Sequence, residues 1–153
     1  MLLIKRLNSY AMKKILFLGM IIMLIMVSCT HEKKSPIEGT WKMVYGKWSS
    51  IEPTYPAQTK GDQIKMFSKK HFMFVGHFEA DTLSGDNYGW GTYTLNGNKY
   101  EEHEVQHSAK SYMGQTVRLL VEIRNDTLIQ KWPANENWKL EKDYSVEKYV
   151  RAE

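Results

Sequence analysis

From residue 39 onward the sequence is written in short runs of alternating apolar and polar residues separated by turn residues, and that rhythm leaves few folds open. Trp41, Met43 and Tyr45 alternate with Thr40, Lys42 and Val44, the pattern of a strand with one buried face. Residues 63–68 and 70–78 read as two strands joined at Ser68-Lys69-Lys70, with Gly76 marking a bend or bulge in the second. Residues 51–61, which hold Pro53 and Pro56, and residues 81–87 read as loops. Residues 88–95 alternate again, and Asn96-Gly97-Asn98 is a hairpin turn. Residues 116–124 set Val117, Leu119, Val121 and Ile123 on one face, and Asn125-Asp126 turns the chain into residues 127–132. After a loop at 133–137, residues 138–140 and 144–151 finish the chain as strands. About eight to ten short strands with hairpin turns and almost no helix predict an all-β, antiparallel barrel over residues 37–153. Closure is preferred to an open sandwich because it removes the strand edges that would otherwise be exposed.

One segment competes with that reading. His103-Glu104-Val105-Gln106-His107 matches H-E-x-x-H, the zinc-peptidase motif, whose chemistry needs a helix so that both imidazoles grip one ion. On a strand the two histidines share a face but stand about 13 Å apart, while a zinc ligand lies within roughly 2.1 Å of its ion. Asn98 as an N-cap, Glu101, Gly114 as a stop and the spacing of Val105, Ala109, Tyr112 and Met113 favour a helix. The turn at Asn96-Gly97-Asn98, which pairs residues 93–95 with 99–101, favours a strand, and no Gly and third His follow at the offsets of the extended zinc motif. The strand is the expectation, and with it no catalytic residue, no metal and no cofactor. A zinc-dependent hydrolase using His103, Glu104 and His107 is the alternative that a helix would open. His71 and His77 sit on one strand face about 20 Å apart, and His31 precedes the domain.

Ahead of the domain, Lys13 and Lys14 precede an apolar run at 15–27, then Ser28 and Cys29, the one cysteine of the chain. This is the layout of a secretory signal. Thirteen helical residues reach roughly 20 Å, short of the ~30 Å hydrocarbon core of a bilayer. Met26-Val27-Ser28-Cys29 resembles the lipobox of bacterial lipoproteins, which implies cleavage before Cys29 and acylation of its thiol. Residues 1–28 are then a signal peptide, with Met12 the more compact start, and 29–36 a lipidated tether. Four of the 21 basic side chains (Lys5, Arg6, Lys13, Lys14) belong to the leader, which leaves 17 bases against 17 acids. A neutral mature chain implies no nucleic-acid partner. Acylation of Cys29 also leaves no disulfide within a monomer. Thr30 is not the aspartate associated with inner-membrane retention in some bacteria, so attachment to the outer membrane of a bacterial envelope is expected.

Gly39-Thr40-Trp41 resembles the G-x-W signature of lipocalins and their calycin relatives, in which the tryptophan packs at the closed end of the barrel. Residues 126–132 and 147–151 are similar to the last strands of fatty-acid-binding relatives. Residues 91–151 resemble a family of lipocalin-like bacterial envelope lipoproteins of unknown function, in which a Gly-x-Tyr strand leads to a strand like Tyr100-Glu101-Glu102-His103. The resemblance implies a barrel with a binding cavity and names no ligand. The expected function is therefore a lipid-anchored, monomeric binding protein for a small apolar or amphipathic molecule. Large rings line pockets well because they bring area at little entropy cost, and the candidates are Trp41, Phe72, Phe74, Trp90, Tyr100 and Trp132. Glu102 or His103 is the expected polar handle. The alternative is a barrel filled by its own side chains whose rim serves as a protein-interaction or inhibitor surface.

Overall fold

A computed structural model describes residues 34–49, 51–81 and 83–152, together with Lys14. The expected signal peptide and the lipidated Cys29 lie outside the described residues, apart from Lys14. Ser35–Glu153 is a unit of its own. Its described residues form nine strands: β1 (Gly39–Trp48), β2 (Ile51–Tyr55), β3 (Lys60–Phe67), β4 (His71–Ala80), β5 (Leu83–Asn96), β6 (Lys99–His107), β7 (Thr116–Arg124), β8 (Thr127–Ala134) and β9 (Leu140–Arg151). A 3₁₀ turn, Lys110–Tyr112, lies between β6 and β7.

Each strand from β3 to β9 pairs antiparallel with the next, β1 pairs with β3, and β9 returns to β1 from Trp41↔Arg151 to Lys47↔Val146. Eight strands thus close into a barrel, as the alternation predicts, and β2 is an extra strand hung on the end of β1. The hairpins are where the turn chemistry puts them. Asn125 and Asp126 both have positive φ (49° and 58°), as a two-residue hairpin with right-handed strand twist demands. Gly97, at φ 62°, turns β5 into β6 between Asn96 and Lys99, which face each other.

Three local expectations are corrected. Residues 51–55 form a strand and not a loop; Pro53 is tolerated there because β2 pairs on one side alone, where a missing N–H is harmless. Most of the expected loop at 81–87 is strand, because Leu83 onward pairs in register with β4 from Ala80↔Leu83 to His71↔Thr92. Gly76 marks no bulge. It pairs in register with Gln63 and Asn87, and a Cβ there would lie 2.5 Å from the Asp62 carbonyl oxygen, so glycine is needed for close approach.

One end of the barrel is plugged. Trp41, 1% exposed, donates from Nε1 to the Ile37 carbonyl at 2.7 Å, and the Arg151 guanidinium lies 4.0 Å over its ring. Arg151 also donates to the carbonyls of Glu38 (2.6 Å) and Pro36 (3.0 Å), which ties the residues before β1 across that end. Above this plug pack Met43, Phe67, Phe72, Tyr93, Tyr100, Leu128 and Tyr149. Phe67 meets Tyr93 and Tyr100 edge to face at 5.7 and 6.0 Å.

Candidate binding cavity

The other half of the barrel is hollow. A cavity of ≈ 450 Å³ opens at the end opposite Trp41, where β1 ends and β4 turns into β5. Its walls are apolar, built from Trp48, Phe74, Phe78, Val117, Leu119 and Trp132. The Phe78 ring is held edge to face by Trp48 at 5.5 Å and Tyr55 at 5.6 Å.

The base is polar. Lys65, from β3, donates from Nζ to Glu102 Oε1 at 2.6 Å and to Gln130 Oε1 at 3.1 Å. The Lys65 and Glu102 side chains are 5% and 6% exposed. The rings of Phe67, Phe72 and Phe74 lie 5.6, 5.5 and 5.6 Å from the same ammonium, within cation–π range. Tyr100 donates its hydroxyl to Glu102 at 2.8 Å. A second network runs across the barrel. Gln63 donates to the Tyr149 hydroxyl (2.7 Å), which donates to Glu147 (2.8 Å); Trp48 Nε1 donates to the other Glu147 oxygen (2.9 Å), and Asn87 donates to Gln63 (2.7 Å). Burial, then the neighbouring glutamate, pushes both the Tyr100 and the Tyr149 hydroxyl well above the usual phenol range, so each stays a neutral donor.

Glu104 has no such completion. It is 4% exposed and lines the cavity, yet its Oε2 has no hydrogen-bond partner among the described residues. Burial, followed by the charge of Glu102, raises its carboxyl to about 8, against the pull of Lys65. Gln130 Nε2 is a second buried group without a partner.

The H-E-x-x-H stretch is strand β6, as expected, but its two histidines do not share a face. Trp90 pairs with Gln106 while Gly91 pairs with Glu104, so Val105 is an extra residue in the ladder and reverses the alternation after it. His103 ends outside, exposed and bonded to Thr116 Oγ1 at 2.8 Å. His107 ends inside, where it lines the cavity, stacks on Tyr112 at 4.7 Å and meets Phe74 at 5.4 Å. Burial lowers its pKa, so it is a neutral ring whose Nδ1 accepts from the Ala109 N–H. With the barrel wall between the two imidazoles, one zinc cannot bridge them. Purified protein is expected to hold far less than one zinc per chain by elemental analysis; stoichiometric zinc lost on His107→Ala would overturn this.

The expected lining residues are distributed as follows. Phe74, Trp132 and Glu102 line the cavity. Phe72 and Tyr100 are buried just beneath it, in contact with Lys65 and Glu102. Trp41 belongs to the plug at the far end. Trp90 and His103 are corrected, because both face outward. In Gly89-Trp90-Gly91 it is the glycines that face in: a Cβ at Gly89 would lie 2.6 Å from the Phe74 ring, and one at Gly91 would run into the His103 carbonyl. The sequence singles out none of Gln63, Lys65, Gln130 and Glu147, and Glu104 only as part of the zinc motif. The signal that could have found this polar set was a shared face: Tyr100-x-Glu102-x-Glu104 and Glu147-x-Tyr149 each put carboxylates on the side of a ring too large to leave exposed.

Compared with known proteins, the chain matches no family model, and no curated protein matches it.

Proposed function

We propose that this chain is a binding protein that takes a small, partly apolar molecule into the open half of its barrel. We also propose that it is anchored in a bacterial envelope, at the outer membrane, through an acylated Cys29. The observation that carries the binding reading is a hollow with ring-lined walls standing over the buried Lys65–Glu102 pair and the buried Glu147. Charges such as Lys65, Glu102 and Glu147 cost several kcal/mol each to remove from water, and an apolar filling of the same volume is as stable or more so. A barrel needing stability alone has no use for them. A polar base under apolar walls orients an amphipathic guest, with its head down and its body against Phe74, Phe78 and Trp132.

The test is native mass spectrometry of the purified chain, followed by thermal unfolding against a panel of lipids and small aromatic and aliphatic molecules. A co-purifying molecule is expected, or a panel member that stabilises the fold by about 2.7 kcal/mol at a hundred times its Kd. No bound molecule and no shift across the panel overturns the reading.

A second reading has its own support. Met73 pairs with Trp90 and Val75 with Tyr88 on the outer wall, and with Val105 they make a patch of large apolar groups, each 45–52% exposed. If the cavity proves empty, this wall is the surface through which the chain would act as an accessory or inhibitor lipoprotein.

A further inference from the structure

We propose that the cavity selects a guest carrying a protonated amine, which the Glu104 carboxyl receives while the aromatic walls hold the body of the molecule. This rests on the binding reading above and names the chemistry of its guest.

Three observations converge on it. First, the ionisable side chains turned into the hollow are one cation, Lys65, against three carboxyls, Glu102, Glu104 and Glu147, with His107 and Tyr112 beside them, while Asp86 at the rim holds its carboxylate outward on His77 at 2.7 Å. Second, Lys65 is already engaged: Glu102 sits on it at 2.6 Å, Gln130 at 3.1 Å, and three rings surround it. An anionic head arriving there would find no free cation and several carboxylates. Third, Glu104 is the buried carboxyl left incomplete, with Oε2 unpartnered inside a lined cavity. An ammonium supplies what that oxygen lacks, a charge-assisted donor, and the faces of Phe74, Trp132 and Tyr112 attract a cation as well.

The recognition carries a proton with it. In the empty cavity Glu104 holds its proton up to about pH 8. The ionisable groups that line the cavity with it are Lys65 on β3, Glu102 and His107 on its own strand, Tyr112 in the 3₁₀ turn and Glu147 on β9; Asp86 on β5 points outward onto His77, and the described lining residues of β7 and β8 are not ionisable. When an ammonium enters, the carboxylate form is favoured and the proton leaves to solvent. Binding is therefore expected to tighten with rising pH until Glu104 is ionised without help, and then to level off.

Calorimetric titration of the full chain with phenethylamine, hydrocinnamate and phenethyl alcohol separates the possibilities, since the three probes differ mainly in head-group charge. Phenethylamine is expected to bind at least about tenfold tighter than hydrocinnamate, and to gain close to tenfold per pH unit between about pH 6 and 8. Titration in two buffers of different ionisation enthalpy is expected to report release of about one proton per amine in that window. Glu104→Gln, which keeps the shape, is expected to remove both the proton release and the pH slope while circular dichroism shows the fold intact. Hydrocinnamate binding as well as the amine, or an amine preference unchanged in Glu104→Gln, overturns the inference. If the alcohol binds as tightly as the amine with no pH slope, the cavity is a binding site without this charge selection. If none of the three binds and the lipid panel is also silent, the binding reading itself falls.

Discussion

Lys65→Met is expected to destabilise the barrel by ~3–5 kcal/mol at neutral pH, because it strands Glu102 as a buried carboxylate without its counter-ion. For a domain of this size that is a fall of roughly 10–20 °C in Tm. The methionine itself is well accommodated among Phe67, Phe72 and Phe74, so lost packing is a minor part of the effect. A second variant separates the causes. Adding Glu102→Gln to Lys65→Met removes the stranded charge and is expected to restore most of the stability. Chemical denaturation of wild type, Lys65→Met, Glu102→Gln and the double variant as a cycle gives the coupling energy directly. A single variant within about 1 kcal/mol of wild type, as many exposed pairs behave, would show that the pair is solvated and the base of the cavity wet.

Glu104 is expected to act in the opposite direction. Its carboxyl is raised from 4.5 to about 8 in the folded chain, so between those values the native state keeps a proton that the unfolded chain has released. Stability therefore falls as pH rises through that window and is lowest above about 8. In a dry site the full difference would be about 5 kcal/mol; the cavity is open to solvent, and screening brings the expectation to about 2 kcal/mol. Because Glu102 and Glu104 interact, the step belongs to the pair. Glu104→Gln is expected to stabilise the protein by that amount, or about 6–10 °C in Tm, near pH 9, and to leave it almost unchanged near pH 5. Thermal melts of both proteins across that range check it. A variant that is less stable at high pH would mean that Glu104 is ionised and satisfied in the native state.

A residue that raises stability when removed is informative about function. Evolution tolerates such a group where activity needs it, and here it lines the cavity at the open end of the barrel. The same logic applies to Gln130, whose amide nitrogen is buried without a partner while its oxygen takes the Lys65 ammonium. Both side chains hold the interior in a state more polar than packing alone would choose.

What could be read in advance was local. Asn125-Asp126 and Asn96-Gly97-Asn98 specify their hairpins through backbone sterics, which need no knowledge of the rest of the chain. The alternation from Trp41 to Tyr149 determined an antiparallel barrel, because half-buried strands in number are stable when closed on themselves. The face that each side chain takes is less local. One extra residue at Val105 sends His103 and His107 to opposite sides, and the small inner space beside Phe72 and Phe74 turns Trp90 outward. The full height of β5 was likewise decided by its partner β4, not by its own turn-rich composition. The sequence by itself thus determined the wall and its tight hairpins, while the plug around Trp41 depends on Arg151 and Ile37 meeting it across the barrel end. Only the tertiary structure decided what the wall encloses, since Lys65, Glu102, Glu104 and Glu147 come from three separate strands and their charges acquire meaning only when closure removes them from water together.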